Sequence, residues 1–308
     1  MNIDVIIATY NGKNYIEEQI NSILNQTYKD ITVYIRDDGS TDGTTALLKK
    51  IALKDSRIKI VEDNIPAKGV GENFKQLLKN CNSDFVFIAD QDDYWQKDKI
   101  EKLLSFIKSC DEDQPLIAYA PGIVVDSTLK PTGKLTDYKL KVEKVQDMYL
   151  MNGGVQGCAM VINKHLYNLA LKTDFHWHMH DQVLSIYAVC FGKIYFFESP
   201  LFLYRQHGSN VLGFNSSTVK DKLNRYINYN KNSFLIDKSS CLMFAEFSNL
   251  LGNNLNSEIK TNIEFFLAAI KKGKISTFIF IVKNKLKLQH SLIKACIKSL
   301  IVRNTIER

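Results

Sequence analysis

Several common signatures are missing from this chain of 308 residues. None of its six cysteines, Cys81, Cys110, Cys158, Cys190, Cys241 and Cys296, forms a C-x-x-C pair, and most lie in apolar runs. That excludes a disulfide framework and points to buried thiols in a reducing compartment. No window reaches the roughly 18 uninterrupted apolar residues of a membrane-crossing helix. The longest late run, Phe278-Ile279-Phe280-Ile281-Val282, is flanked by lysines. The first residues enter a strand-like run directly, without a basic region and a long apolar one, so no secretory signal is expected. There is no G-x-x-x-x-G-K-S/T. Lys68-Gly69-Val70-Gly71-Glu72-Asn73-Phe74 has two glycines without a third and does not directly follow a strand. P-loop and dinucleotide-binding enzymes are thereby set aside. No internal repeat or low-complexity tract is evident.

What is present is an ordinary apolar content of 45%, enough for a real core, and a formal net charge of +7 that is unevenly spread. From Lys271 to Arg308 there are ten Lys or Arg and one Glu, whereas the front of the chain carries most of the acids. Strand-like runs at Ile3–Ala8, Ile31–Ile35, Arg57–Val61 and Asp84–Ala89 alternate with helical patterns at Asn14–Leu24, Ala46–Ile51 and Gly71–Leu78. This alternation predicts an α/β fold with a mostly parallel sheet covered on both faces. The middle is more Gly-punctuated and antiparallel in character. Strands are expected over Leu116–Val125, Gly133–Leu140, Ala159–Ile162, Ile194–Phe197 and Leu201–Tyr204, with helices over Lys97–Ile107 and Val183–Cys190. Beyond Thr218 the pattern turns helical, through Leu223, Tyr226, Ile227, Leu235 and Ile236, then Ile259–Ile270, then a long basic segment over Ile275–Ile301.

The most informative stretch is Phe85-Val86-Phe87-Ile88-Ala89-Asp90-Gln91-Asp92-Asp93-Tyr94-Trp95. A buried strand ends at three carboxylates, at the strand end where open α/β sheets bind ligands. Like charges so close call for a positive partner, and hard divalent cations such as Mg²⁺ or Mn²⁺ suit carboxylate oxygens and a substrate phosphate. Asp98 offers a cap for the next helix. Asp37 and Asp38 end another strand in Asp37-Asp38-Gly39-Ser40-Thr41-Asp42-Gly43-Thr44, where a carboxylate can accept the imide N–H of uracil or thymine while Ser40, Thr41 and Asp42 cap the next helix. His176-Trp177-His178-Met179-His180-Asp181 precedes an apolar helix. The three histidines leave a zinc site open. Asp181 at the helix start suits a general base, kept ionised by the helix amides. Arg205 and His207 can face a diphosphate, or His207 can complete a metal shell.

Val5-Ile6-Ile7-Ala8-Thr9-Tyr10-Asn11-Gly12, Ser22-Ile23-Leu24-Asn25-Gln26-Thr27, the Asp37–Thr44 stretch and Asp90-Gln91-Asp92-Asp93-Tyr94-Trp95, in this order, resemble the family 2 glycosyltransferases. The Asp-Gln-Asp-Asp form, with His180-Asp181 and Tyr204-Arg205-Gln206-His207-Gly208-Ser209-Asn210, is similar to the rhamnosyltransferase-like branch of bacterial polysaccharide biosynthesis. The resemblance covers about residues 1–213. It implies a GT-A-type nucleotide-sugar-binding domain with a mixed, mostly parallel sheet, a donor half over about 1–110 and an acceptor half over 111–213. A helical, basic extension follows over 214–308. It further implies an inverting, metal-dependent transfer from a pyrimidine nucleoside-diphosphate sugar, a dTDP-sugar such as dTDP-rhamnose or a UDP-sugar, to a saccharide or lipid-linked saccharide. The implied donor-binding residues are Thr9, Asn11, Asp37, Asp90 and Arg205. Asp92 and Asp90 would hold Mn²⁺ or Mg²⁺, with His207 as a further ligand. Asp181 would be the base, with His180 orienting the acceptor or the aspartate.

Two alternatives stay open on the residues alone. A nucleotidyltransferase would need a basic Gly-rich loop after its first strand, which Ala8-Thr9-Tyr10-Asn11-Gly12 lacks. A non-catalytic nucleotide-sugar-binding protein on the same fold would have no need of Asp92 or Asp181. The expected setting is cytoplasmic, with 271–308 either resting on the anionic inner face of the plasma membrane, building a homodimer or packing on the core. No nucleic-acid partner is expected.

Overall fold

The structure is a computed structural model and describes residues 1–63, 65, 69–110, 113–136, 142–151, 154–207, 234–288 and 291–305. The chain forms two compact units, Met1–Lys141 with Val155–Asn210, and Val142–Gly154 with Val211–Arg308.

The first unit is built on a seven-stranded sheet in the order β10-β6-β9-β4-β1-β2-β3. Its strands are β1 (Ile3–Thr9), β2 (Ile31–Asp37), β3 (Ile58–Ile60), β4 (Phe85–Ala89), β6 (Leu116–Tyr119), β9 (Met160–Asn163) and β10 (Lys193–Phe196). Only β9 runs against its neighbours β4 and β6; the other pairings are parallel. Parallel strands covered on both faces must be apolar throughout. Ile3, Val5, Ile6 and Ile7 in β1 and Val86–Ala89 in β4 are accordingly fully buried. Helices α1 (Ile16–Leu24), α2 (Thr44–Ala52), α3 (Val70–Lys79), α4 (Lys99–Lys108), α6 (Lys164–Leu171) and α7 (His180–Phe191) complete this layer. The α/β fold with a mixed, mostly parallel sheet is thus as expected.

A second sheet of four strands, β5-β11-β7-β8, lies in the same unit. Its members are β5 (Tyr94–Trp95), β7 (Gly122–Val125), β8 (Pro131–Leu135) and β11 (Phe202–Arg205). It corrects one expectation. Leu116–Val125 is not one strand, because the chain leaves the first sheet at Ala120-Pro121 and enters the second as β7. Pro121 has no N–H to give to a ladder, so the break falls where the backbone has least to lose. Residues 137–140 of the expected strand lie outside the described residues.

The second unit is helical: α5 (Val145–Met148), α8 (Lys238–Leu251), α9 (Ser257–Lys272), α10 (Lys274–Lys283) and α11 (Leu292–Ile301). Tyr149 stacks on Phe266 at 4.0 Å between ring centroids and meets Phe244 edge-on at 5.3 Å, which ties α5 to α8 and α9. The long basic segment expected over Ile275–Ile301 is two helices, interrupted after Asn284. Leu235 and Ile236 are not helical: their amides bond to the carbonyls of Arg303 and Asn304 in an extended bridge. Leu223, Tyr226 and Ile227 lie outside the described residues. Among the described residues no helix is long and apolar enough to cross a membrane.

All six cysteines are free; Cys158 is buried and the others are half-buried.

Candidate active site

Three neighbouring parallel strands end side by side. Thr9 of β1 lies opposite Asp37 of β2, and Ile7 lies opposite Ala89 of β4, so Asp37, Thr9 and Asp90 share one rim of the sheet. The loops leaving this rim are stitched together. Thr9 Oγ1 and the Tyr10 amide both donate to Gln91 Oε1, at 2.6 and 3.0 Å, and Gln91 Nε2 donates back to Tyr10 O at 3.1 Å. Asn11, held at φ 49°, gives its amide to Ser40 Oγ at 2.8 Å and accepts the Thr41 amide at 2.9 Å. Asp42 accepts the Thr44 hydroxyl at 2.5 Å and the Thr44 and Lys13 amides at 3.0 and 3.1 Å, which together hold its carboxyl below the usual range.

Asp37 takes most of its hydrogen bonds from its own turn. Its carboxylate accepts the Ser40 amide at 3.2 Å together with the hydroxyls of Ser40 and Thr45. A carboxylate has about four acceptor sites, so capacity for one further donor remains. Behind it, buried Arg36 forms a hub that sequence reasoning missed. Its guanidinium makes a two-bond fork to Asp63 at 3.0 and 2.7 Å and reaches Asp38 at 3.2 Å, Asn73 at 3.2 Å and the Ile65 carbonyl at 2.8 Å. These bonds hold the Asp63 carboxyl below its ordinary range, while burial moves Asp38 the other way. The available signal was an arginine directly after the apolar run Ile31–Ile35.

The Asp90–Asp93 turn is built differently. Burial, then the Asp92 carboxylate, and with smaller weight Asp181, push Asp90 up to about 7. Burial and the charges of Asp90 and Asp92 push Asp93 well above the carboxylate range. Asp93 Oδ1 takes a long bond from the Arg205 amide, at 3.3 Å, the Cys158 thiol also bonds to the carboxyl, and Oδ2 is buried without a hydrogen-bond partner. Asp90, Asp93 and buried Cys158 lie with candidate ligand atoms within 4.8 Å of one another. Burial and the adjacent carboxylates raise the Cys158 thiol well above its usual value, so it stays protonated. A buried cation in this floor is Lys99, with Nζ 2.6 Å from the Cys158 carbonyl and over the rings of Trp95 and Phe202 at 3.9 and 4.5 Å. Burial brings its pKa down to about 8. Lys99 too was missed, although a lysine in the apolar stripe Ile100, Leu103, Leu104, Ile107 was a visible anomaly. Asp98 stands at the start of α4, but its carboxylate pairs with Lys102 at 2.6 Å and makes no cap bond.

Asp92 points to His207: Oδ2 and Nε2 are 2.8 Å apart, and the imidazole stacks on Tyr15 at 4.6 Å. Asp92 thus brings one carboxylate and one imidazole together, while Asp90 and Asp93 of the same turn group with Cys158 and not with His207; carboxylate oxygens of this kind suit Mn²⁺ or Mg²⁺, and the mutual repulsion within the turn adds a demand for positive charge. The residues present therefore fit such an ion. Arg205 is oriented inward, not outward toward a diphosphate as expected. Its Nε donates to Asp92 O and its Nη1 to Ser127 O, both at 2.7 Å, and its Nη2 pairs with Glu18.

Asp181 opens α7 and is 8% exposed; its Oδ1 accepts the Gln182 amide at 2.7 Å. The loop before it is clamped to α3. Glu72 accepts the Trp177 amide at 2.8 Å, Lys75 donates to Phe175 O at 2.8 Å and Asp174 at 3.1 Å, and a Cβ on Gly71 would lie 2.1 Å from the Trp177 carbonyl oxygen. His180 turns the other way. Its ring lies 3.8 Å from that of Phe74, both nitrogens lack hydrogen-bond partners, and burial takes its pKa down to about 3. The orienting bond to Asp181 expected of it is not made. His176 and His178 pack edge to face at 4.5 Å, so the three histidines do not converge on one point as a zinc site would need. Gly208, Ser209 and Asn210 lie outside the described residues.

The sequence matches the profile described as "Glycosyl transferase family 2" over residues 4–169. It is 30% identical over 225 residues to a protein of Shigella flexneri named dTDP-rhamnosyl transferase RfbG, spanning 68% of this chain and 75% of that one. It is 38% identical over 107 residues to WfaP of Escherichia coli, named UDP-Glc:alpha-D-GlcNAc-diphosphoundecaprenol beta-1,3-glucosyltransferase, over 35% of this chain and 41% of that one. The backbone resembles S. aureus TarS 1-349 in complex with UDP-GlcNAc, with a TM-score of 0.61, 18% identity, and coverage of 97% and 80% of the two chains. It also resembles the mannosyltransferase PcManGT of Pyrobaculum calidifontis in complex with GDP-Man and Mn2+, with a TM-score of 0.50, 15% identity, and coverage of 97% and 86%. At these identities the structural likeness speaks for the fold alone.

Proposed function

The chain belongs to glycosyl transferase family 2 and has a GT-A fold, and from that premise we propose that this glycosyltransferase is an inverting, metal-dependent enzyme of bacterial cell-surface polysaccharide synthesis. Its donor is a pyrimidine nucleoside-diphosphate sugar, with dTDP-rhamnose first and UDP-hexoses second, and its acceptor is a saccharide or lipid-linked saccharide hydroxyl. The observation that carries this reading is the acidic turn at the end of β4, where Asp92 pairs with His207 and the carboxylates of Asp92 and Asp181 add to the charge felt by Asp90. The name of the Shigella relative supports the dTDP-rhamnose donor, and the name of the Escherichia relative supports both a UDP-hexose and a lipid-linked acceptor.

In this reading residues 1–213 form the catalytic domain, with the donor half before the acceptor half, and 214–308 form its extension. Asp37 takes the ring N3–H of the pyrimidine in its remaining acceptor site. Thr9 and Asn11 set the shape of the loop beside it. Asp90 and Asp92, with His207, hold Mn²⁺ or Mg²⁺, which when bound neutralises charge on the leaving diphosphate. Arg205 fixes the Asp92 backbone from behind. Asp181 accepts the acceptor's hydroxyl proton as that oxygen forms a bond to the anomeric carbon and the bond to the nucleoside diphosphate breaks. A single displacement needs no nucleophilic carboxylate. His180 lies buried against Phe74 beside this base and packs the start of α7.

The test is nucleoside diphosphate release with dTDP-rhamnose, UDP-glucose, UDP-N-acetylglucosamine and GDP-mannose, each with Mn²⁺ and with chelator. The expected result is metal-dependent turnover of a pyrimidine donor. Full activity in excess chelator, or preference for GDP-mannose, would contradict the reading.

A further inference from the structure

In the second unit, α10 and α11 form an antiparallel hairpin. Lys274 Nζ donates to the carbonyls of Leu300 and Ile301 at 3.2 and 3.0 Å, so the start of α10 lies at the end of α11. The return is closed by reciprocal backbone bonds between Leu288 and Ser291 at 3.1 Å. Each helix buries a narrow face: Thr277 and Ile281 on α10, and Ala295 and Ser299 on α11. The opposite face of each is apolar and bare. Ile275, Ile279 and Val282 repeat at the spacing of one helical stripe, and so do Ile293, Ile297 and Leu300. Ile275 is 75% exposed and Ile293 is 72% exposed.

Large aliphatic side chains gathered this way on a surface mark a contact with something apolar. What surrounds them identifies it. The sequence from Lys271 to Thr305 holds nine Lys or Arg and no Asp or Glu. Lys271, Lys272, Lys283, Lys285 and Lys287 are exposed. A second copy docking by two-fold symmetry would set this basic surface against the same basic surface. An anionic bilayer answers both features at once, taking the aliphatic stripes at the acyl boundary and the ammonium groups among its phosphates. We infer that the α10–α11 hairpin is an interfacial anchor for an anionic phospholipid surface, with Ile275, Ile279, Ile293 and Ile297 as its inserting side chains. This surface is independent of the nucleotide and sugar assigned above.

The experiment is flotation of the full chain with vesicles of equimolar phosphatidylglycerol and phosphatidylcholine, against vesicles of phosphatidylcholine alone. The chain is expected to float with the first and not the second, and to be released by high salt. Replacing three exposed lysines (Lys283→Gln, Lys285→Gln, Lys287→Gln) should weaken binding about 10²-fold, each worth about fivefold. Replacing Ile279→Asn and Ile297→Asn, both exposed, should abolish flotation while leaving the melting temperature unchanged. Three outcomes would overturn the inference: equal flotation on neutral vesicles, no flotation at all, or a dimer in light scattering that the double isoleucine variant converts to monomer.

Discussion

The two acidic turns on the rim of the first sheet use the same residue type in opposite ways. In the Asp37–Thr44 turn every carboxylate described has donors. Asp37 is closed by Ser40 and Thr45, Asp42 by Thr44 and the Lys13 amide, and Asp63, which reaches in from beyond β3, by Arg36. In the Asp90–Asp93 turn burial and mutual repulsion raise Asp90 and Asp93, one oxygen of Asp93 has no donor, and the buried cations nearby, Lys99 and Arg205, bond to the carbonyls of Cys158 and Asp92. The first turn is finished as it stands and can recognise a neutral donor such as a ring N–H. The second gathers buried carboxyls that resist ionisation without a positive partner, which suits a divalent ion. In the proposed function, recognition and charge neutralisation are divided between two strand ends separated by β1.

The sharpest test of that division concerns the group outside both turns. Asp181→Asn should lower transfer by about 10²–10⁴-fold while leaving nucleotide and Mn²⁺ affinity nearly intact, measured by steady-state rates beside titration. If it instead abolishes donor binding, Asp181 belongs with the second turn. Next in size is Arg36→Met, which removes the buried guanidinium and its bonds to half-buried Asp38, to Asn73 and to the more exposed Asp63, and should cost about 1.5–3 kcal/mol in urea unfolding at neutral pH. Because Asp63 is held below its ordinary pKa, its contribution is present above an unfolded value of about 4 and is lost as pH falls through the lower folded one. The gap between wild type and this variant should therefore narrow below pH of about 4.

Asp92→Asn should act on the second turn without unfolding the first. Transfer should fall on the order of 10²-fold, and the stabilisation by saturating Mn²⁺, about 2.7 kcal/mol at a hundred times Kd, should largely vanish from the thermal melt. An undiminished Mn²⁺ effect in this variant would place the ion elsewhere. The smallest effect is Ser40→Ala. It removes bonds to Asp37 and from the Asn11 amide and should cost about 1–2 kcal/mol, with weaker pyrimidine nucleotide binding by calorimetry.

The strands were legible because a parallel sheet covered on both faces leaves an unbroken apolar run for each, as in Val5-Ile6-Ile7 and Phe85-Val86-Phe87-Ile88-Ala89. The end of β4 was legible for the same reason: three acids after such a run cannot belong to its interior. The split at Pro121 was less visible, since Leu116–Val125 is apolar on both sides of it and only the lost N–H marks the change of sheet. Arg205 could not be placed from sequence. Its partner Glu18 is 187 residues away, and an arginine beside a histidine looks the same whether it faces phosphate or the protein. His180 was misleading because a histidine next to an acid suggests a pair, while helix geometry sends the two side chains in different directions.

Gly71 bears on how variants of this chain would be interpreted in a mutational scan scored by growth or turnover. No side chain fits there, because the Trp177 carbonyl occupies the space of a Cβ. Even alanine must push the 175–178 backbone away from α3, and Asp181 follows four residues later on the same length of chain. Position 71 would then score like a catalytic one while contributing no atom to chemistry. The same scan would tolerate Lys79 at the far end of the helix, and a map coloured by such scores would draw the active site larger than it is along α3.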